Sequence, residues 1–437
     1  MAKTHPLMSA QRGASATATD QYCAAAAGWR PAAQWASMLK STFLPRPALI
    51  MRQQEAQLPA PSAEALASSQ QLLSHIATQI TAAGGWISFA DYMRLALYSP
   101  GLGYYTGGAA KFGTAGDFIT APGLSPLFGG ALAHTIGHVL AEAGGTVLEI
   151  GAGTGQLAAQ ILAELERLEQ LPAQYAILEL SAELQERQLA TLRTLVPHLA
   201  ERVVWLERLP AEFTGVMVGN EVLDAMPCEV MQLVDGVWQQ RGVCLTDGQL
   251  SWANRPCQDP VLLAHCARWP QIDGYCSEIQ LEAQGFIRAL GQSLQRGLIL
   301  MLDYGFPAGE FYHPERRMGT LIGHYRHHTV HDPFFHPGLT DLTCHVDFSA
   351  MYTAADQAGL ALDGYTSQAS YLIDCGILEQ ARQLDSKSVE YLRTAAALQK
   401  LLGHAEMGEL FKAIAFSRGL SGPTAPGFRQ QDRSGEL

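Results

Sequence analysis

The chain has 437 residues, 48% of them hydrophobic and 16% charged, so it is long enough to bury a large core and to form more than one lobe. Its 41 acidic and 29 basic residues give a net charge of −12, which argues against a general nucleic-acid-binding protein. No apolar run reaches the roughly 20 residues that a membrane-spanning helix needs, so we expect no membrane insertion. The eight cysteines form no Cys-x-x-Cys pair, which predicts free thiols in a reducing compartment.

Residues 1–61 differ in composition from the remainder of the chain. They are rich in alanine, serine and arginine, and Asp20 is the only acidic residue before Glu55. This pattern predicts either a disordered extension or a targeting segment, and in neither case a part of the fold. We therefore expect a cytoplasmic protein, or a protein of the mitochondrial matrix if this segment is a transit peptide.

Residues 62–143 predict an N-terminal helical lobe with a glycine-rich lid. One helix is expected from Glu64 to the Gly84-Gly85 pair, and a second helix after Ser88 as its N-cap. Residues 99–129 contain too much glycine for a long regular element, so they predict either a mobile lid or a static loop. A further helix is predicted from about residue 127 to residue 143.

From residue 144 to residue 421 the pattern alternates between strands and helices. Apolar strand segments such as "TVLEI", "YAILEL", "GVMVGN" and "GLILMLD" are separated by helical segments, which predicts an α/β fold with a parallel sheet covered on both faces. An insertion at about 228–296 interrupts the alternation. Its period-two pattern around two Asp-Gly pairs, at 235–236 and 247–248, predicts an antiparallel hairpin. The polar segment 422–437 is predicted to be a flexible tail.

The stretch "VLEIGAGTGQLA" (147–158) predicts a strand, a glycine loop and a helix, which is the context of a nucleotide-type site. The loop has glycines at alternate positions, at Gly151, Gly153 and Gly155. The dinucleotide fingerprint requires glycine or alanine where Gln156 stands, and the Lys and Ser or Thr of a phosphate-binding P-loop are absent. An NAD-dependent dehydrogenase is therefore the weaker alternative.

Two carboxylates point to a different ligand. Glu149, two residues before the loop, would repel a pyrophosphate but suits a cationic amino group. Glu179 ends the second predicted strand, the place where an acid binds a ribose diol. A ligand with an adenosine sugar, an ammonium group and no phosphate is S-adenosyl-L-methionine.

Four further motifs carry a resemblance to a known family. They are "GYYTGGAAKFGTAGDFITAP" (103–122), "GNEVLDAMP" (219–227), "MLDYGF" (301–306) and "GLTDLTCHVDF" (338–348). Together they resemble the MidA family of bacterial and mitochondrial methyltransferases, over about residues 62–420. The resemblance implies a Rossmann-like class I methyltransferase sheet, S-adenosyl-L-methionine as cofactor and, for the mitochondrial member, methylation of an arginine during assembly of respiratory complex I.

The resemblance also implies functional residues. In the lid, Asp117, Phe118 and Thr120 are expected at the cofactor. His328 and His345 match positions over the acceptor pocket, where an imidazole can accept a proton. Six histidines lie between His324 and His345, but two prolines interrupt the run, so no metal site is expected.

The segment 219–227 follows the fourth strand, where class I methyltransferases present groups to the methyl acceptor. Carboxylates hold a guanidinium by charge-assisted and often bidentate hydrogen bonds. Glu221 is therefore predicted to orient the acceptor, with Asp224 as the second carboxylate and Asn220 beside the cofactor. The alternative for Asn220 and Asp224 is capping of the following helix. Asp303 and Tyr304 end the next strand and are expected on the same side of the sheet.

Three functional hypotheses remain on this basis. The first is a methyltransferase acting on an arginine of a protein substrate. The second is methyl transfer to a small molecule, which an apolar pocket would favour. The third is an assembly factor that binds S-adenosyl-L-methionine without turnover.

Overall fold

The computed structural model describes residues 58–107 and 120–437. The predicted N-terminal extension up to residue 57, and the part of the lid that contains Asp117 and Phe118, lie outside the described residues. Within the described residues, no helix is both long enough and apolar enough to cross a membrane.

The N-terminal lobe follows the predicted helical pattern. Ser62 and Ser88 cap its first two long helices, because their side chains accept hydrogen bonds from the backbone N–H groups of Ala65 and Asp91. The elements are α1 (Ala63–Ala82), β1 (Ile87–Ser88), α2 (Phe89–Tyr98), α3 (Ala121–Leu124) and α4 (Pro126–Ala143). The apolar stripe of α1 is buried at Leu72, Ile76 and Ile80, so this helix packs onto the body of the protein.

The first half of the central domain confirms the predicted alternation. Its elements are β2 (Thr146–Ile150), α5 (Gln156–Arg167), β3 (Tyr175–Leu178), α6 (Ala182–Leu195), β4 (Val203–Leu206) and β5 (Phe213–Asn220). The four strands are mutually parallel, with β2 between β3 and β5. Leu157, Ile161 and Leu165 of α5 are buried against the sheet, as their helical spacing predicts.

The insertion forms a second, antiparallel sheet. Its elements are β6 (Glu229–Val234), β7 (Val237–Thr246), β8 (Gln249–Pro256), α7 (Pro260–Cys266), β9 (Cys276–Ile279) and α8 (Leu281–Ser293). Both predicted Asp-Gly turns are confirmed, with positive φ at Asp235-Gly236 and Asp247-Gly248. The strand order is β1-β7-β6-β9, with β8 on β7. Because β1 belongs to the N-terminal lobe, this sheet joins that lobe to the insertion.

The C-terminal part completes the central sheet. Its elements are β10 (Leu294–Phe306), α9 (Ala308–Phe311), β11 (Ile322–Tyr325), β12 (His328–Val330), β13 (Asp341–Thr343), β14 (Val346–Asp347), α10 (Phe348–Gln357), β15 (Ala361–Ser367), α11 (Gln368–Asp374), α12 (Ile377–Ala381), α13 (Val389–Leu402), α14 (Met407–Leu410) and β16 (Phe411–Arg418). The central order is β15-β16-β10-β5-β2-β3-β4, and β16 is antiparallel to both of its neighbours. The carboxyl ends of β2, β3, β5 and β10 therefore meet at one edge, which confirms the predicted α/β class and locates the site.

The prediction of a flexible tail from residue 422 is wrong. Ala425 and Phe428 are buried, and the Phe428 ring lies 5.3 Å from the ring of Tyr371. Backbone N–H groups of the tail donate to the central domain, from Gly427 to Asp374 and from Arg433 to the carbonyl of Tyr365. The polar composition of the segment conceals the few apolar residues that anchor it.

Candidate active site

The glycine loop 151–155 adopts backbone conformations that glycine favours. Gly151, Gly153 and Gly155 have φ values of +67°, +51° and +82°. A Cβ atom would lie 3.0 Å from the Val222 side chain at Gly151 and 3.0 Å from the Gln188 backbone at Gly155. At Gly153 it would meet no atom within 4 Å. A side chain at either outer glycine would therefore require its neighbour to shift, while the middle glycine borders space that the described residues leave open.

Glu149 lies on β2 directly before this loop and is almost fully buried. Its carboxylate accepts a 2.7 Å hydrogen bond from the hydroxyl of Tyr175, at the start of the neighbouring strand β3. Burial raises the pKa of Glu149 to about 7, and the Tyr175 bond opposes this shift. The side chain is thus a buried acid poised to change its charge near neutral pH.

Glu179 follows β3 and is connected to the glycine loop through a residue that the sequence analysis missed. Its carboxylate accepts from the backbone N–H of Ser181 at 2.9 Å and from the side-chain amide of Gln188 at 3.1 Å. The same Gln188 amide donates to the carbonyl of Gly153 at 3.1 Å, and its oxygen accepts from the Trp205 indole. The sequence signal that could have identified Gln188 is its position on the buried face of α6, four residues before Leu192.

The end of β5 and the loop after it bring Asn220, which is predicted beside the cofactor, together with the two carboxylates predicted to bind the methyl acceptor. Asn220 ends the strand, and its side-chain N–H donates to Glu221 at 2.9 Å. Glu221 has a φ of +53°, which a residue other than glycine rarely adopts. Within the described part of the chain, Asn220 Oδ1 and Asp224 Oδ1 are buried oxygens without a hydrogen-bond donor. Two unused acceptor atoms therefore lie beside the Glu221 carboxylate.

Thr120, the one predicted lid residue among those described, lies next to this loop. It is half-buried and immediately precedes α3. The backbone N–H of the following residue, Ala121, hydrogen-bonds to Glu221. This bond holds the end of the lid segment against residues 221–224, the acceptor loop, where the methyl acceptor is predicted to bind.

The two acceptor-side carboxylates have raised pKa values. Burial and the neighbouring Asp224 raise the pKa of Glu221 to about 7. Burial also raises the pKa of Asp224 to about 6, against a hydrogen bond from the Tyr304 hydroxyl. The negative charge of Asp224 therefore disfavours the ionised form of Glu221.

His345 lies against Tyr304, with perpendicular rings whose centroids are 5.2 Å apart. Burial, with the charges of Arg316 and Lys412, lowers the pKa of His345 to about 4. The imidazole is therefore neutral at pH 7 and a weak base. His328, by contrast, is exposed on β12 and contacts the carbonyl of Arg326.

The N-terminal lobe contributes two tyrosines to this region. The Tyr98 hydroxyl donates to the carbonyl of Ala225 at 3.0 Å, and the Tyr105 hydroxyl bonds to Asp341 at 2.9 Å. Their rings stack with centroids 5.5 Å apart. Tyr98 and Asp341 were not predicted from the sequence, because neither a tyrosine at a helix end nor an acid within "GLTDLT" indicates a partner so distant along the chain.

The histidine run does not form a metal centre in the described regions. Across residues 58–107 and 120–437, no three histidine, cysteine or acidic side chains are arranged to hold a metal ion. The seven cysteines of those regions are free thiols.

Comparisons with known proteins agree with this geometry. Residues 129–366 match the model of a family of S-adenosyl-L-methionine-dependent methyltransferases. The mitochondrial protein arginine methyltransferase NDUFAF7 homolog of Drosophila melanogaster is 30% identical, over 74% of this chain and 75% of its own length. The mitochondrial protein arginine methyltransferase NDUFAF7 of Danio rerio is 28% identical, over 79% of this chain and 86% of its own length.

A solved structure is more similar still. The crystal structure of a COG1565 superfamily member and likely methyl transfer enzyme from Burkholderia thailandensis, bound to S-adenosyl-homocysteine, has 46% sequence identity and a TM-score of 0.85. The superposition covers 87% of this chain and 100% of the Burkholderia thailandensis chain. A native crystal structure of a COG1565 superfamily protein from the same organism has a TM-score of 0.83 at the same identity.

Proposed function

The chain belongs to the MidA family of S-adenosyl-L-methionine-dependent methyltransferases, and we propose that its methyl acceptor is the guanidinium group of an arginine in a protein substrate. This proposal rests on a set of oxygen atoms, at the end of β5 and in the loop after it, that can accept hydrogen bonds. Glu221, Asp224 Oδ1 and Asn220 Oδ1 present hydrogen-bond acceptors, two of them without donors among the described residues. A guanidinium has five N–H donors in a fixed plane and a charge that carboxylates compensate.

On the cofactor side, the glycine loop would hold the methionine and ribose portions of S-adenosyl-L-methionine. Glu149 would bind the amino group, Glu179 would bind the ribose hydroxyls, and Gln188 would hold Glu179 against the loop. When bound, this cofactor supplies an electrophilic methyl group. Asp117, Phe118 and Thr120 are proposed to cover it, and the contact of Ala121 with Glu221 supports this for the end of the segment.

On the acceptor side, Glu221 and Asp224 would align one guanidinium nitrogen and compensate its charge. Alignment supplies much of the rate in a displacement of this kind. A methylated guanidinium nitrogen must release one proton, which a carboxylate with a pKa of about 7 can accept at neutral pH. His345, with a pKa of about 4, is better suited to form a neutral wall of the pocket than to act as that base.

This chemistry favours arginine over the two alternatives from the sequence. An apolar small molecule would bring no positive charge to Glu221 and Asp224 and no hydrogen-bond donor to Asp224 Oδ1, at a cost in binding free energy. A binding protein without turnover would have no use for an acid whose pKa matches the working pH. Location remains a prediction: cytoplasmic, or the mitochondrial matrix if residues 1–60 act as a transit peptide.

The test is methyl transfer from labelled cofactor to peptides that contain arginine, lysine or neither, with the modified residue identified by mass spectrometry. We expect transfer to arginine only, and a loss of at least about 100-fold in kcat for Glu221→Gln. Cofactor affinity should stay within about twofold, since Glu221 lies outside the glycine loop.

Glu229→Gln provides the matched control. Like Glu221, Glu229 is a half-buried carboxylate with a raised pKa and a hydrogen bond from a side-chain amide, in this case that of Gln240, but it lies on β6 of the insertion. Its variant should retain wild-type activity. Full activity of Glu221→Gln, or transfer to lysine, would refute the proposed acceptor chemistry.

A further inference from the structure

Asp303 is a buried carboxylate to which neither the sequence nor the family comparison gives a role. It lies on the central strand β10, next to the end of β5, and is only 1% exposed. The backbone N–H of Glu221 donates to the carbonyl of Leu302 at 2.9 Å, so the sheet pairing of β5 with β10 continues to the first acceptor residue. Beyond Glu221 the chain leaves the sheet, and its next amides need other partners.

The Asp303 side chain supplies those partners. Its Oδ2 atom accepts hydrogen bonds from three consecutive backbone N–H groups, those of Val222 at 3.1 Å, Leu223 at 2.8 Å and Asp224 at 3.2 Å. Its Oδ1 atom accepts from the backbone N–H of Tyr304 at 2.9 Å. Consecutive amides that converge on one oxygen form a concave site for a negative charge.

The opposite cross-strand neighbour does not neutralise this carboxylate. Lys412 is the sheet partner of Asp303, but its ammonium group donates to the carbonyls of Glu409 and Leu410. Burial, with the Asp224 and Glu221 carboxylates, raises the pKa of Asp303. A third acid beside two others is electrostatically unfavourable, so its placement calls for a reason other than its charge.

The left-handed conformation of Glu221 supplies that reason. A residue other than glycine in this region is strained and persists only where its surroundings over-determine it. Here β10 holds the N–H of Glu221, and Asp303 holds the three amides that follow. One side chain, that of Asp303, thus holds the backbone from which the Asp224 side chain extends and which follows Glu221.

We propose that Asp303 is the positioning residue of the acceptor site: it orients Glu221 and Asp224 by binding the backbone amides of residues 222–224. This inference rests on the proposed function, in which those two carboxylates hold the acceptor arginine. In the proposed site, Asp303 would act through this backbone and not by contact with the cofactor or the methyl acceptor. Its effect passes through the loop of residues 222–224, because the hydrogen bonds of Asp303 go to that loop and to Tyr304, and none in the described part of the chain goes to the glycine loop.

The experiment compares Asp303→Asn and Asp303→Ala with the wild-type full-length chain. Asparagine retains one oxygen for the three amides but cannot accept from Tyr304, whereas alanine leaves all four amides unpaired. Hydrogen exchange is measured by mass spectrometry on peptides covering 219–228 and 150–158. Cofactor affinity is measured by calorimetry, and kcat and KM are measured on the arginine peptide that the wild-type protein methylates best.

We expect the amides of residues 222–224 to exchange about 100-fold faster in Asp303→Ala and about tenfold faster in Asp303→Asn. The value of kcat should fall in the same order, so that the asparagine variant partly restores activity. Exchange in the glycine loop and cofactor affinity should stay within about twofold of wild type.

Asp347→Asn is the matched control. Asp347 is also a buried carboxylate, on β14 next to β10, and it accepts from the backbone N–H of Ala350 without touching the acceptor loop. In the Asp347→Asn variant, amides near residue 350 should lose protection from hydrogen exchange, while those of residues 222–224 should exchange at the wild-type rate.

Protected amides at 222–224 in Asp303→Ala would overturn the inference. So would a loss of cofactor binding and of protection throughout the chain that parallels the loss of activity, since that would assign Asp303 to general stability. A wild-type protein that methylates no arginine peptide would refute the proposed function, while exchange at 222–224 would still decide the role of Asp303.

Discussion

Cofactor affinity should depend on pH through Glu149. This side chain is buried beside the glycine loop, and burial raises its pKa to about 7. Only the ionised carboxylate attracts an ammonium group, so a proton on Glu149 competes with the amino group of S-adenosyl-L-methionine. Lowering the pH should weaken binding.

The size of the effect follows from the pKa. Glu149 is about half ionised at pH 7.0 and about 3% ionised at pH 5.5, so the apparent affinity should fall about 16-fold between them. Nearly one proton should be released for each cofactor bound at the lower pH. The series ends at pH 7.0 because the α-amino group of the ligand itself titrates near pH 8.

The assay is calorimetric titration at pH 5.5, 6.0, 6.5 and 7.0, in two buffers that differ in ionisation enthalpy so that released protons are counted. S-adenosylhomocysteine, which has the same amino group, should show the same dependence. Methylthioadenosine lacks that group and should not. Glu149→Gln should bind more weakly at pH 7.0 and with no slope.

A wild-type affinity that changes less than twofold from pH 5.5 to pH 7.0, without proton release, would refute the contact between Glu149 and the amino group. The same slope in Glu149→Gln would assign the dependence to another residue.

Four further outcomes are expected. Tyr175→Phe removes the hydrogen bond that favours ionised Glu149, so the midpoint of the affinity profile should move to higher pH; an unmoved midpoint contradicts the pairing. Gln188→Leu should weaken cofactor binding about tenfold, and unchanged calorimetric affinity would show that Glu179 needs no support. His345→Phe should keep kcat/KM within about threefold, whereas a 100-fold loss in the peptide assay would make the imidazole the base. For Glu149, the folded pKa exceeds the unfolded value, so this group should lower the free energy of unfolding by about 3 kcal/mol between pH 4.5 and pH 7; in urea titrations, Glu149→Gln should show a decline that is smaller than the wild-type decline by that amount.

The sequence by itself determined the features that depend on local pattern. The alternation of strands and helices, the positive-φ glycines of 151–155 and the Asp-Gly turns of the insertion all follow from residues close together in the chain. Periodicity and turn chemistry are short-range, because each depends on backbone conformation within a few residues. The four MidA motifs also pointed correctly to the family.

Only the tertiary structure decided how the side chains act on one another. The bonds of Gln188 to Gly153 and of Asp303 to the amides after Glu221 join residues that are 35 and about 80 positions apart. The pKa values of Glu221 near 7 and of His345 near 4 depend on burial and on neighbouring charges, so the same two side chains in an open chain would titrate elsewhere. The anchored tail likewise depends on the pocket that Phe428 enters. Desolvation and distant contacts exist only once the chain has folded, and for this reason the sequence could name the candidate residues but not assign their protonation states or partners.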